Sequence, residues 1–217
     1  MKIVSSSLTR TLVAPALLAG AMFAAVPAVL AQPAPPAAPA ATPIGVRGTV
    51  TAFAGDTLKV RTRSGQDLEV GLTKDTAVRA VTLSKVDEIK AGSYIGSAAV
   101  PQADGSLKAL EVHVFPPSMR GSGEGHRAWD LGKNSSMTNG TVGNVVVSNG
   151  RTITVKYPDG EKRIVIPNDV PIVNLDPGDR SLLVPGAHIV LFASKGADGA
   201  LTARFISAGK GGVVPPM

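Results

Sequence analysis

The ten residues GSGEGHRAWD at positions 121–130 hold three glycines, two acids, a histidine, an arginine and the chain's one tryptophan. Glu124, His126 and Asp130, with His113 from upstream, form a candidate ligand set for a divalent metal. An imidazole with two carboxylates suits zinc, and a looser oxygen-rich set suits calcium or manganese. The spacing adds little, because no H-x-x-x-H or paired histidine is present. A second chemistry is the binding of a small ligand or anion, with Glu124, His126, Arg127, Trp129, Asp130 and Arg120 as candidate contacts. Amides of the glycine-rich loop could form an anion nest beside Arg120 and Arg127. The reading that asks least of these residues is structural: Glu124 and His126 pair with backbone, the glycines permit sharp turns, and Trp129 plugs a seam between domains.

Catalysis has weaker support. Ser118, His126 and Asp130 are the residue types of a triad, yet no nucleophile elbow surrounds Ser118. GSGEG has the glycines of a phosphate loop but neither the preceding parallel strand nor the following helix. The chain is read as non-enzymatic, with no catalytic residue assigned.

The elements that must position this segment are set by an internal repeat, the first pattern to seek in any chain. GTV at 48–50 returns at 140–142, and TLKVRTRSG at 57–65 returns as TITVKYPDG at 152–160. IGSAAVPQADGSLKA at 95–109 and IVLFASKGADGALTA at 189–203 share the ungapped pattern I-x-x-x-A-x-x-x-A-D-G-x-L-x-A. Within each copy the apolar period is two, which predicts half-buried strands. Leu58 and Val60 point one way and Lys59, Arg61 and Arg63 the other; Ile153 and Val155 repeat the inward pair. Ser64-Gly65, Asp104-Gly105, Asp159-Gly160 and Asp198-Gly199 read as hairpin turns. SKVDEI at 84–89 is the candidate helical excursion, with Ser84 as its cap.

The expectation is an all-β fold with minor helix: two tandem OB-like five-stranded barrels, one per copy, spanning 44–115 and 140–208. SH3-like barrels or an open sandwich fit the same strand count. Residues 116–139 are the Gly-rich connecting segment, and 209–217 a flexible tail. His113 falls on the last strand of copy one where copy two has Ser207, and reads as an exposed strand residue. His188 aligns with Tyr94 and reads as packing.

Ahead of the repeats, Lys2 and Arg10 precede a long uncharged run that ends with Val29 and Ala31 at a small-residue cleavage site. Residues 1–31 are read as a secretory signal cleaved after Ala31, which leaves no membrane span. Pro15 and Pro27 interrupt the run, and no basic flank follows it. Residues 32–43 are almost entirely proline and alanine, a disordered linker that cannot bury a core. Loss of the signal lowers the net charge from +6 to +4, with 20 bases left against 16 acids. That mild excess favours anionic envelope polymers, ligands or headgroups. No cysteine is present, so disulfides and thiolate metal sites are excluded. Only seven aromatics remain once Phe23 leaves with the signal, too few for stacking on single-stranded nucleic acid.

The stretches GEGH-x-x-W-D (Gly123 to Asp130) and S-M-T-N (Ser136 to Asn139), set between two GTV units behind a signal, carry a resemblance. Over residues 44–207 the chain resembles exported bacterial proteins grouped as a domain of unknown function with OB-like barrels. Some of those are labelled metal-transport components. The resemblance implies a fold and a compartment without an activity. Taken together, the sequence predicts a periplasmic or secreted, non-enzymatic binding or scaffold protein of the cell envelope. Its partner is an envelope protein, a glycan or an anionic ligand; a metal-binding protein is the first alternative and a hydrolase the second.

Overall fold

The computed structural model describes residues 43–147 and 151–216. The expected signal, and the linker apart from Pro43, lie outside the described residues. The first half of the chain forms β1 (Ile44–Ala54), β2 (Thr57–Thr62), β3 (Asp67–Gly71), β4 (Ala77–Leu83), β5 (Tyr94–Pro101) and β6 (Leu107–Val114). The second forms β7 (Gly125–Ala128), β8 (Ser136–Val147), β9 (Arg151–Tyr157), β10 (Gly160–Ile166), β11 (Ile172–Pro177), β12 (His188–Lys195) and β13 (Leu201–Gly209). Among the described residues, helix is confined to single 3-10 turns at Val86–Glu88, Pro117–Met119 and Arg180–Leu182. No helix among the described residues is long and apolar enough to cross a membrane.

The protein is all-β and contains a closed five-stranded barrel. β1 pairs β2, β2 pairs β3, β3 lies parallel to β13, β13 pairs β12, and β12 returns to β1. Only the β3–β13 closure is parallel, which matches the OB type. The circuit takes three strands from copy one and two from copy two. Strands β8, β9, β10, β6 and β5 pair in the equivalent order, with β10 meeting β6 through Ile164↔Leu107 and Val165↔Lys108. The expected assignment of one barrel to each copy therefore fails: the copies exchange their last two strands. The physical reason lies at the middle of the sheet, where β4 and β11 pair antiparallel. Val81 and Leu175, equivalent residues of the two copies, face each other there. Each of these strands then hands the chain across to the other side, β4 lying parallel to β13 and β11 parallel to β6.

Burial follows the strand period. Val46, Leu58, Val60, Ile189, Leu191 and Ile206 belong to one core, drawn from both copies. Ile95, Val112, Val142, Ile153, Val155 and Ile164 belong to a second. Outward-facing residues between them, Val81, Tyr94, Phe115, Leu175 and Val190, make a third cluster, the seam. The repeated GTV motif has a steric cause: a Cβ at Gly48 would strike the Arg61 carbonyl, and one at Gly140 the matching Lys156 carbonyl.

Three boundaries are corrected. Residues 136–139 belong to β8 rather than to the connecting segment. The 84–89 excursion is one 3-10 turn without a side-chain cap; the Ser84 hydroxyl instead donates to Glu88 Oε2 at 2.8 Å. The C-terminal residues expected as a loose tail turn back, because their apolar side chains find the seam. Val213 packs on the third cluster, Pro215 is buried, and its carbonyl accepts from Arg63 Nη2 at 3.1 Å.

Candidate functional site

The two stretches that carry the resemblance are one hairpin. β7 pairs antiparallel with the start of β8 through Gly125↔Asn139, His126↔Thr138, Arg127↔Met137 and Ala128↔Ser136. Its loop is fixed by local bonds: Trp129 N–H donates to the Ser135 carbonyl at 2.9 Å, and the Ser135 hydroxyl donates to the Trp129 carbonyl at 2.9 Å. Arg47 on β1 clamps the loop with two bonds to Asp130, at 2.7 and 3.0 Å. That guanidinium holds the Asp130 carboxyl below the usual carboxylate range.

The decapeptide's residues then separate. Arg127 and Trp129 turn to a cleft at the seam, with the Arg127 guanidinium 5.5 Å from the Trp129 ring and its Nη1 donating to the Gly123 carbonyl at 2.7 Å. His126 shares a 2.8 Å hydrogen bond between Nδ1 and Thr138 Oγ1 and stacks on Tyr157 at 6.3 Å. Burial, then the charges of Lys162 and Arg127, lower its pKa. Glu124 is exposed on a turn. Arg120 is spent on structure, donating to Thr141 Oγ1 at 3.1 Å and to the Gly92 carbonyl at 2.6 Å. Arg120 does not line the cleft that Arg127 enters. Tyr94, under Arg120, donates to the Ser122 carbonyl at 3.2 Å; burial and then the Glu124 charge push its phenol up to about 12.

The metal set is not assembled. Among the described residues no three His, Asp or Glu side chains converge. Asp130 is occupied by Arg47 and His126 by Thr138, while His113 is engaged elsewhere. His113 was expected on an exposed face, but it is buried at the seam. Its Nδ1 lies 3.1 Å from Oε2 of the fully buried Glu111, whose Oε1 accepts from Ala98 N–H at 2.8 Å. The triad fails for the same reason, with Ser118 exposed on the 3-10 turn. His188 contacts Thr49 Oγ1 at 3.2 Å. The basic row is a face of cross-strand pairs, Lys59 with Glu69 and Arg61 with Asp67.

The cleft itself is larger than the decapeptide. An outer chamber of about 580 Å³ is walled by Trp129, Phe192 and Phe205, with Arg204 at its side and Asp130 at its rim. An inner chamber of about 160 Å³ adjoins it through Arg127, Trp129 and the two phenylalanines. Arg79, His113, Ser122 and Asn139 line the inner chamber. The aromatic wall is continuous: Trp129 and Phe192 centroids lie 5.5 Å apart, Phe192 and Phe205 5.0 Å. Arg79 caps Phe205 at 4.6 Å and makes no hydrogen bond or ion pair among the described residues. Burial alone lowers its pKa, the mark of a cation with no counter-charge.

Sequence reasoning found Arg127, Trp129 and Asp130 and missed Arg79, Phe192, Phe205, Arg204 and Asn139. A strand phenylalanine reads as core. The signal that would have found the two phenylalanines is the ungapped repeat, in which Phe192 and Phe205 stand where copy one has Ala98 and Glu111. Comparison with protein-family models, curated protein sequences and solved structures found no match.

Proposed function

We propose that the chain is an exported, non-enzymatic binding module of the cell envelope, and that its seam cleft takes an organic anion with a flat apolar body. Export rests on the signal pattern of residues 1–31, and the resemblance to exported OB-like proteins fits the same compartment. The ligand class rests chiefly on Arg79. A half-buried guanidinium without an acid loses solvation and regains only a cation–π contact with Phe205, so an anion that joins it supplies the missing counter-charge. Arg127 and Arg204 add charge of the same sign, and Trp129, Phe192 and Phe205 supply the apolar walls on which small-molecule sites are built.

Calorimetric titration of the mature chain with phenylacetate and with 2-phenylethanol, which share a ring and differ in charge, tests the reading. Phenylacetate is expected to bind at least about tenfold more tightly, from a charge-assisted bond to Arg79, and Arg79→Met to erase the difference. Equal affinity for both compounds, or no binding of either, overturns it.

A further inference from the structure

The inner chamber holds acceptors as well as cations, and they lack donors. Asn139 is 5% exposed; its Nδ2 donates to the Ser122 carbonyl at 3.1 Å, while its buried Oδ1 has no partner among the described residues. His113 is fixed from its other side by Glu111 and lies edge-on to Phe115 at 4.8 Å. The tautomer that donates Nδ1–H to Glu111 leaves Nε2 as a second acceptor. The two acceptors are brought together over Gly96, where an added Cβ would strike both His113 Nε2 and Asn139 Oδ1. Nearby, the Asn139 amide and the Arg127 guanidinium approach one point above Gly123, at 3.1 and 3.3 Å. An anion site therefore adjoins a site that asks for a donor.

We propose that the ligand is a hydroxy acid: its carboxylate meets Arg79 and Arg127, a neighbouring hydroxyl donates to Asn139 Oδ1 or His113 Nε2, and its apolar body lies against Trp129, Phe192 and Phe205. The inference rests on the cleft being an organic-anion site and adds the hydroxyl. A buried acceptor left without a donor costs binding free energy, so a ligand that supplies the donor is selected over one of the same size that does not. The carboxylate, the hydroxyl and the ring meet three separate groups, so the site also selects one hand of a chiral ligand.

The test compares mandelate with phenylacetate, which differ by one hydroxyl, on the mature chain and on Asn139→Leu. Trp129 is the single tryptophan, so its indole N–H gives one resonance to follow. In the parent, one enantiomer of mandelate is expected to bind about tenfold more tightly than phenylacetate, and the other to bind no better than phenylacetate. In Asn139→Leu the preference for that enantiomer over phenylacetate falls to within about twofold, whatever the change in phenylacetate affinity itself. Phenylacetate that binds the parent as tightly as both enantiomers of mandelate sinks the hydroxy-acid inference and leaves the anion cleft standing. Failure of both ligands to bind sinks the cleft itself. Because the parent alone decides between these outcomes, a poorly folded Asn139→Leu does not leave the question open.

Discussion

At five matched positions the two copies of the repeat differ in chemistry while keeping one backbone. Copy one carries Arg79, Gly96, Ala98, Glu111 and His113; copy two carries Val173, Val190, Phe192, Phe205 and Ser207. Both hairpins bulge at the same place, between Ala98 and Ala99 and between Phe192 and Ala193, so that Ala98 pairs with Glu111 where Phe192 pairs with Phe205. The inward-facing residues agree in kind, Ile95 with Ile189 and Val112 with Ile206. The barrel thus demands the inner set and leaves the outer set free. One copy has filled the seam with a buried carboxylate and imidazole, and the other with a pair of aromatic rings. The cleft is where these two solutions meet.

That contrast can be broken most severely at Glu111. Glu111→Ala leaves two buried donors, His113 Nδ1–H and the Ala98 N–H, without their acceptor and is expected to cost about 4 kcal/mol. Its matched change, Phe205→Ala on a half-buried ring, is expected to cost about 1–2 kcal/mol. Urea denaturation of the two variants reads the difference, and equal losses would show that the Glu111–His113 pair is no more than packing.

A sharper version swaps one copy's solution into the other. Gly96→Val alone drives a branched side chain into the imidazole and is expected to destabilise by about 3 kcal/mol. Adding His113→Ser makes the pair match Val190 and Ser207 but leaves Asn139 Oδ1 in the way and Glu111 without its partner, so the double variant is expected to lose about 2 kcal/mol less than the two single losses added together. Additive losses in the double variant would mean that the glycine is held by something other than the histidine.

The smallest effect concerns His126, which stays in the connecting hairpin and has no counterpart in the other copy. Its pKa is lowered on folding, so the unfolded chain takes up this proton first as the pH falls. The stability that neutral His126 secures is present above its ordinary pKa of about 6.5 and is lost on acidification below it. Melting temperatures between pH 7.5 and 5 should therefore drop less for His126→Gln than for the parent. An identical drop would remove His126 from the pH response.

Much of the strand layout was legible because turn chemistry is local. The glycines of all four hairpin dipeptides, at 65, 105, 160 and 199, adopt the positive φ that those pairs predicted. The exchange of strands between copies was not legible. A repeat offers β3 two nearly identical partners, β6 or β13, and sequence similarity cannot choose between them. The choice is made by β4 and β11, whose pairing through Val81 and Leu175 is a long-range event. The same exchange hid half of the site. Phe192 and Phe205 were assigned to a barrel of their own copy, and only the exchange sets their outer face beside Trp129 and Arg79. His113 was misplaced for a related reason, since its strand face reads as solvent until the seam covers it.

A crystal structure of the mature chain with phenylacetate decides whether the seam cleft is an organic-anion site. The ring is expected against Trp129 and Phe205, with the carboxylate within hydrogen-bond reach of Arg79. Phenylacetate seated elsewhere, with Arg79 still resting on Phe205 and unpaired, would contradict it.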